Sequence, residues 1–323
     1  MHSINKTQLL KYSKENFFIL SRILSILILI IFLSIVSPQF LGWNNILNIF
    51  RQASIQFLIS AGLTLVIITA GIDLAVGAIL GLSACLSASL IVSGHLGLGI
   101  VAGLISGLLA GALNGLLVAF GRITPFIATY GVLWIAGGIG YVFMKGEVLH
   151  SFPPSFRYIG TGILFGIPVT ILIAGIILVI LHLLLHKTVF GRYIYAIGGN
   201  PIAARLSGIS VKSKLFYVYT LSGLLSSFAA LVIMARVNSV DSSIGEELLL
   251  PAIAAVCLGG ASLFGGVGGI AGTAIGALIL ALVINGMNLL GVPSFWQSGV
   301  MGAIILGAVL ADQYGSGRSL IKS

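Results

Sequence analysis

"VTILIAGIILVILHLLLHKTVFGRYIYAIGGNPIAARLSGISVKSK", residues 169–214, joins the two kinds of sequence from which this chain is built. Residues 169–185 contain no Asp, Glu, Lys or Arg. With its flanks, a continuous apolar run of this kind reaches the roughly 20 residues that span a hydrocarbon core about 30 Å thick. The character then reverses. Residues 187–214 carry five cations (Lys187, Arg192, Arg205, Lys212 and Lys214) and no acid, and they are marked by Gly, Asn and Pro.

The apolar pattern recurs along the whole chain. Of its 323 residues, 58% are hydrophobic and 7% charged, and the mean hydropathy is +1.17. A soluble domain runs at about 25% charged residues, so this chain cannot clothe a water-facing surface. Its runs are continuously apolar and do not alternate, which excludes a β-barrel. The fold class is all-α: a polytopic helical bundle in a membrane. Ten segments are expected, at 17–36, 52–70, 71–92, 97–119, 123–142, 167–186, 215–235, 248–262, 270–290 and 296–312. They make one transmembrane domain, 17–312, between a tail at 1–16 and a tail at 313–323. The first run is too long for a signal-peptide core and lacks a small-residue cleavage site, so it reads as a retained span. The eighth is short and leads into "GGASLFGGVGG" (259–269), which suits a re-entrant segment.

The net charge of +9 would suggest nucleic acid in a soluble protein. Here it fits topology, because cytoplasmic loops collect Lys and Arg. With the N-terminus inside, Lys6, Lys11, Lys14, Arg22, Arg122, Lys187, Arg192, Arg205, Lys212, Lys214, Arg318 and Lys322 fall inside, and Arg51, Lys145, Arg157 and Arg236 fall outside. That is twelve cations against four. Both termini and the loop 187–214 are then expected in the cytoplasm, and nucleic acid is not expected as a partner.

The basic loop has the grammar of a short helix. Gly198 and Gly199 are expected to free the backbone. Asn200 is a good N-cap and Pro201 suits the first helical position. Ala203, Ala204 and Arg205 continue the helix, and Gly208 can end it. A solvated loop has no need of such a knob, whereas a protein partner does.

At these residues the chain resembles the permeases of ATP-binding cassette importers, specifically those that import ribose and related monosaccharides. "GGNPIAARLSGI" (198–209) is similar to the coupling segment of that family, with Ile202 where Glu is usual. The likeness extends to "NNILNIFRQASIQFLISAGLTLVIITAGIDLAVGAILGL" (44–82) and to "PAIAAVCLGGASLFGGVGGIAGTAIGALILALVINGMNLLGV" (251–292). It covers about residues 38–312. It implies a bacterial inner-membrane protein that pairs with a second permease copy, with two ATPase subunits that bind ATP and Mg, and with an extracytoplasmic sugar-binding protein. No Gly-Lys pair occurs in the chain, so the phosphate-cradling motif G-x-x-x-x-G-K-[ST] is missing. This subunit itself is then not an enzyme and needs no cofactor.

Other residues offer two readings each. Asp73 follows Gly71 near the expected cytoplasmic boundary and can cap the next helix, or it can serve as an intramembrane ion site. His182 and His186 share a helical face at i and i+4, a zinc-compatible spacing, but no nearby Asp, Glu or Cys completes a metal site. Cys85 and Cys257 read as small core residues. Asn114, Asn285 and Asn288 form interhelical hydrogen bonds or line a translocation path for sugar hydroxyls. "MKGEVLHSFPPSFRYIGTG" (144–162) and "NSVDSSIGEELLL" (238–250) are solvated loops or contacts for the binding protein. "GLGIVAGLISGLLAGALNG" (97–115) and "GGVGGIAGTAIGALI" (265–279) suit close helix packing. A faint likeness links "GALNGLL" (111–117) to "INGMNLL" (284–290). The rival function is a self-contained secondary transporter or channel, which needs intramembrane ionisable groups for coupling. The chain nearly lacks them.

Overall fold

The computed structural model describes Arg22 and residues 24–316, with side chains as far as residue 310. The expected tail 1–16 lies outside the described residues. Of the expected tail 313–323, residues 313–316 continue the last helix and the rest lie outside. The described chain forms α1 (Leu24–Val36), α2 (Trp43–Ile68), α3 (Val76–Val92), α4 (Leu96–Ala119), α5 (Pro125–Met144), α6 (Pro154–Thr161), α7 (Val169–Lys187), α8 (Val189–Gly199), α9 (Pro201–Leu206), α10 (Val211–Val237), α11 (Leu249–Leu258), α12 (Ile270–Leu289) and α13 (Ser294–Ser316). Each of the ten expected segments overlaps one of these helices. Six are long and apolar enough to cross a membrane: α2, α4, α5, α7, α10 and α12.

Helix α2 is the axis of the bundle, with every residue buried from Ala53 to Ile68. It packs against α7, α10, α11 and α12. Thr64 Oγ1 and Thr273 Oγ1 share a 2.7 Å hydrogen bond between α2 and α12. Outer helices turn apolar residues outward, such as Phe126, Ile127, Trp134 and Ile139 of α5, where lipid tails are the natural solvent.

Helix α4 meets α10 and α3 along a face of glycines, Gly99, Gly103, Gly107, Gly111 and Gly115. A Cβ on Gly111 would lie 2.9 Å from the Gly223 Cα of α10, and one on Gly107 would collide with Ser227. Only bare backbones reach this separation, and at it dispersion contacts replace the hydrophobic force that lipid does not supply.

Two helices are short because the chain breaks inside the bundle. Helix α2 ends at Ile68, residues 69–75 turn back, and α3 starts at Val76. Likewise α10 ends at Val237, and a strand pair and a 3-10 turn, Glu246–Leu248, lead into the ten-residue α11. At about 1.5 Å per residue α11 is roughly 15 Å long, half a span. It begins beside Ser60 of α2, which donates to the Ala252 carbonyl at 3.3 Å. The loop after it reaches the end of α2, where the Gly266 N–H donates to the Ile68 carbonyl at 2.8 Å. The segment expected to re-enter is therefore a half-length helix flanked by irregular chain. The order of a long helix, a short helix and two longer ones occurs twice, in α2–α5 and α10–α13. The two similar heptapeptides fall on α4 and at the end of α12.

The two loops beyond α5 and α10 join. Strand β1 (Leu149–His150) pairs antiparallel with β4 (Ser239–Val240). Between them β2 (Ile163–Leu164) and β3 (Ile167–Pro168) form a small hairpin. The Phe152 N–H donates to Asn238 Oδ1 at 3.0 Å.

Candidate docking site

The expected basic loop 187–214 is almost wholly helical: it holds the expected short helix and, before it, the unexpected α8. The Thr188 side chain accepts from the Gly191 N–H at 3.2 Å and starts α8. That helix turns Gly191, Ile194, Ile197 and Gly198 inward. Gly198 and Gly199 form its last turn and so are not a loosened lead-in. A Cβ on Gly198 would collide with the Ile68 carbonyl at the end of α2, so this glycine serves close approach. Tyr195 adds a second anchor, its hydroxyl donating to the Gly268 carbonyl at 2.8 Å. Tyr195 was not singled out in the sequence, where one aromatic in a basic loop carries no distinctive signal.

After α8 the chain reverses into α9. Asn200 Oδ1 accepts from the N–H groups of Ile202 and Ala203, both at 3.0 Å, which is the sequence-predicted cap. Pro201 takes the first helical position. At the other end Gly208 has φ +82°. Its N–H donates to the Arg205 carbonyl at 3.0 Å, and that of Ile209 to the Ala204 carbonyl at 3.1 Å. This paired arrangement is a Schellman ending, whose left-handed residue favours glycine.

The six-residue helix has two distinct faces. Ala204 is only 4% exposed and packs with Ile197 and Val211, which ties α9 to α8 and α10. Ile202 and Leu206, one turn apart, are 72% and 84% exposed. Pro201, Ala203, Arg205, Ser207 and Gly208 are exposed as well. Ala204 therefore cannot belong to a small-residue docking face, because neighbouring helices already cover it. The outward apolar pair is Ile202 and Leu206, readable in the sequence as an i, i+4 pair on a capped helix. Lys214 Nζ lies 5.5 Å from the centroid of the Tyr193 ring and braces the start of α10 against α8.

The end of α2 that carries this element lies close to a buried polar node. Asp73 sits in the break between α2 and α3. It accepts from the Ser222 hydroxyl of α10 at 2.9 Å, from the Asn114 amide of α4 at 3.3 Å and from the Ala75 N–H at 3.0 Å. The expectation that Asp73 caps the next helix is corrected. The residue before α3 is Ala75, and Asp73 closes a turn two residues earlier. It lies level with Ser222, roughly 16 Å along α10 from Val211 at 1.5 Å per residue. The break returns the chain into the bundle, and that return sets the depth.

The three candidate path asparagines are separate. Asn114 is fully buried at the Asp73 node, and its Oδ1 has no partner among the described residues. Asn285 forms a mutual amide pair with Asn45 of α2, at 2.7 and 3.1 Å. Asn288 is exposed and accepts from Gln297 at 2.8 Å. His182 and His186 stack with centroids 4.2 Å apart. Cys85 is buried and Cys257 half-buried.

Comparison with known proteins accords with this architecture. A family model described as "Branched-chain amino acid transport system / permease component" matches residues 45–309. The ribose import permease protein of Bacillus subtilis (strain 168) is 49% identical over 90% of this chain and 91% of its own length. The corresponding ribose protein of Escherichia coli (strain K12) is 42% identical over 90% and 92%. The galactose/methyl galactoside import permease protein of the same strain is 34% identical over 97% and 98%. No solved structure matches. A multi-pass helical bundle matched by this model over most of its length belongs to the transport-system permease component family.

Proposed function

We propose that this chain is the membrane permease subunit of an ATP-driven importer for a monosaccharide, ribose or a related sugar. Near end-to-end similarity to permeases named for ribose, galactose and allose carries the reading. It favours a sugar over the branched-chain amino acids in the family's description. Two copies form the pathway. An extracytoplasmic binding protein delivers sugar to the face built by the joined loops 144–162 and 238–250. Separate ATPase subunits bind ATP and Mg and grip α9 through Ile202 and Leu206, beside Arg205. The protein sits in the bacterial inner membrane with both termini in the cytoplasm.

Contacts within the chain support a coupling route. Force on α9 passes to α8 and α10 through Ala204. Gly198 and Tyr195 press it on the end of α2 and on the loop after α11. Asp73 ties the adjacent break to α4 and α10. The test is uptake into proteoliposomes that hold the assembled complex, with ribose, galactose and allose each presented on its binding protein. ATP-dependent accumulation of one of them is expected. Uptake that needs an ion gradient and no ATP would favour the secondary transporter.

A further inference from the structure

The loop after α11, residues 259–269, takes part in the coupling route, yet it has few side chains of its own to hold it in shape. Gly260, Gly265, Gly266 and Gly268 all have positive φ, a conformation that side chains disfavour. Contacts on three sides fix the loop instead. The Gly266 N–H donates to the Ile68 carbonyl of α2 at 2.8 Å, and the Gly268 carbonyl accepts from the Tyr195 hydroxyl of α8 at 2.8 Å. The third contact is Arg22, which lies in helical backbone two residues before Leu24. A Cβ on Gly260 would collide with Arg22 Nη2, and one on Gly272 of α12 would lie 3.5 Å from Arg22 Nη1. The guanidinium therefore occupies a slot between two bare backbones. That slot is at the carbonyl end of α11. The Gly260 N–H donates to the Cys257 carbonyl at 2.8 Å and that of Ala261 to the Val256 carbonyl at 3.1 Å, the same paired ending as on α9. A helix end of this polarity favours a cation. Behind Arg22, α1 is fixed by its apolar side. Leu33 clusters with Ile49 and Ala53 of α2 and with Ala281 and Leu282 of α12, and a Cβ on Gly286 would lie 2.6 Å from Leu33 Cδ2. Leu33 is roughly 16 Å along the helix from Arg22 at 1.5 Å per residue.

We infer that Arg22 is a positioning residue for transport: it pins the loop after α11 from the side of α1, so that motion entering through α9 and α8 reaches the membrane helices. The inference rests on the permease reading and adds α1 to the coupling route. Tyr195 holds the loop from α8, and Arg22 holds it from α1. With either hold removed, a loop built largely of glycine yields where it should transmit. Topology alone does not account for the placement, because a cation that only marks one side of the membrane needs no slot. Arginine suits the position, since its guanidinium is flat enough to lie between two backbones and stays charged there.

The complete reconstituted importer tests this through the ratio of sugar taken up to ATP hydrolysed. Arg22→Ala is expected to lower that ratio about fivefold while the ATPase subunits still co-purify. Arg22→Lys keeps a cation at the end of α11 and is expected to restore at least about half of the parental ratio. Hydrogen exchange gives a reading that does not depend on transport. In Arg22→Ala the amides of residues 259–268 are expected to exchange about fivefold faster, with those of α4 at the parental rate. A parental ratio in Arg22→Ala, a proportional fall of uptake and hydrolysis, loss of the assembled complex, or no restoration by lysine overturns the inference while the permease reading stands. Exchange that is unchanged, or raised throughout the chain, overturns it as well. If the parent complex shows no ATP-dependent uptake of ribose, galactose or allose, the permease reading fails and this role of Arg22 with it.

Discussion

Helices α4 and α9 both bury small residues, and they differ in the face they leave exposed. On α4 the glycines from Gly99 to Gly115 face inward and are consumed within the chain, against Ser83 and Ser87 of α3 and Gly223 and Ser227 of α10. On α9 the small residue Ala204 also faces inward, while two large apolar side chains face out. The first arrangement is packing. The second is a surface that intramolecular packing does not explain, beside Arg205 on an element capped at both ends. Smallness marks where helices of one chain touch, and exposed bulk on a rigid, basic element marks where another chain does.

The inward half of this comparison breaks most severely at Gly111. Gly111→Leu would drive a side chain into Tyr219 and Gly223, at an overpacking cost of at least about 1–3 kcal/mol. The expected outcome is loss of monodisperse protein on fluorescence-detected size exclusion. Next comes Asp73. Asp73→Ala strands the Ser222 hydroxyl, the Asn114 amide and the Ala75 N–H, each worth about 1–3 kcal/mol when left unpaired. A lowered Tm is expected, with Asp73→Asn falling between it and the parent because one acceptor remains.

Smaller effects sharpen the comparison at its other end. Asn200→Ala removes the α9 cap at about 1 kcal/mol. The amides of Ile202 and Ala203 should then exchange hydrogen about fivefold faster, while Asn200→Ser retains protection. Smallest of all are Gly131→Ala and Gly137→Ala on α5, where an added Cβ meets nothing within 4 Å. Their Tm is expected to stay at or slightly above the parental value, since Ala favours helix over Gly by up to about 1 kcal/mol. A large loss there would mean that those glycines, too, are covered.

What could be read in advance follows the range of the forces involved. The apolar runs, the Asn200 cap and the Gly208 ending depend on residues a few positions apart, and the sequence displays them. Which way Ala204 faces depends on Ile197 and Val211, contributed by two other helices. The depth of Asp73 depends on a chain reversal after Ile68 that composition does not encode. Asn285 needed Asn45, 240 residues away, to become an amide pair.

The outward face of α9 is where the ATPase would dock. The most direct measurement is co-purification of the ATPase subunits, with sugar-stimulated ATP hydrolysis, for the double variant Ile202→Asp, Leu206→Asp in the reconstituted complex. Both side chains are exposed, so the permease is expected to keep the parental Tm and elution volume while ATPase binding and stimulated hydrolysis fall at least tenfold. Parental ATPase binding and hydrolysis in the double variant would contradict the account and leave α9 a capped surface turn.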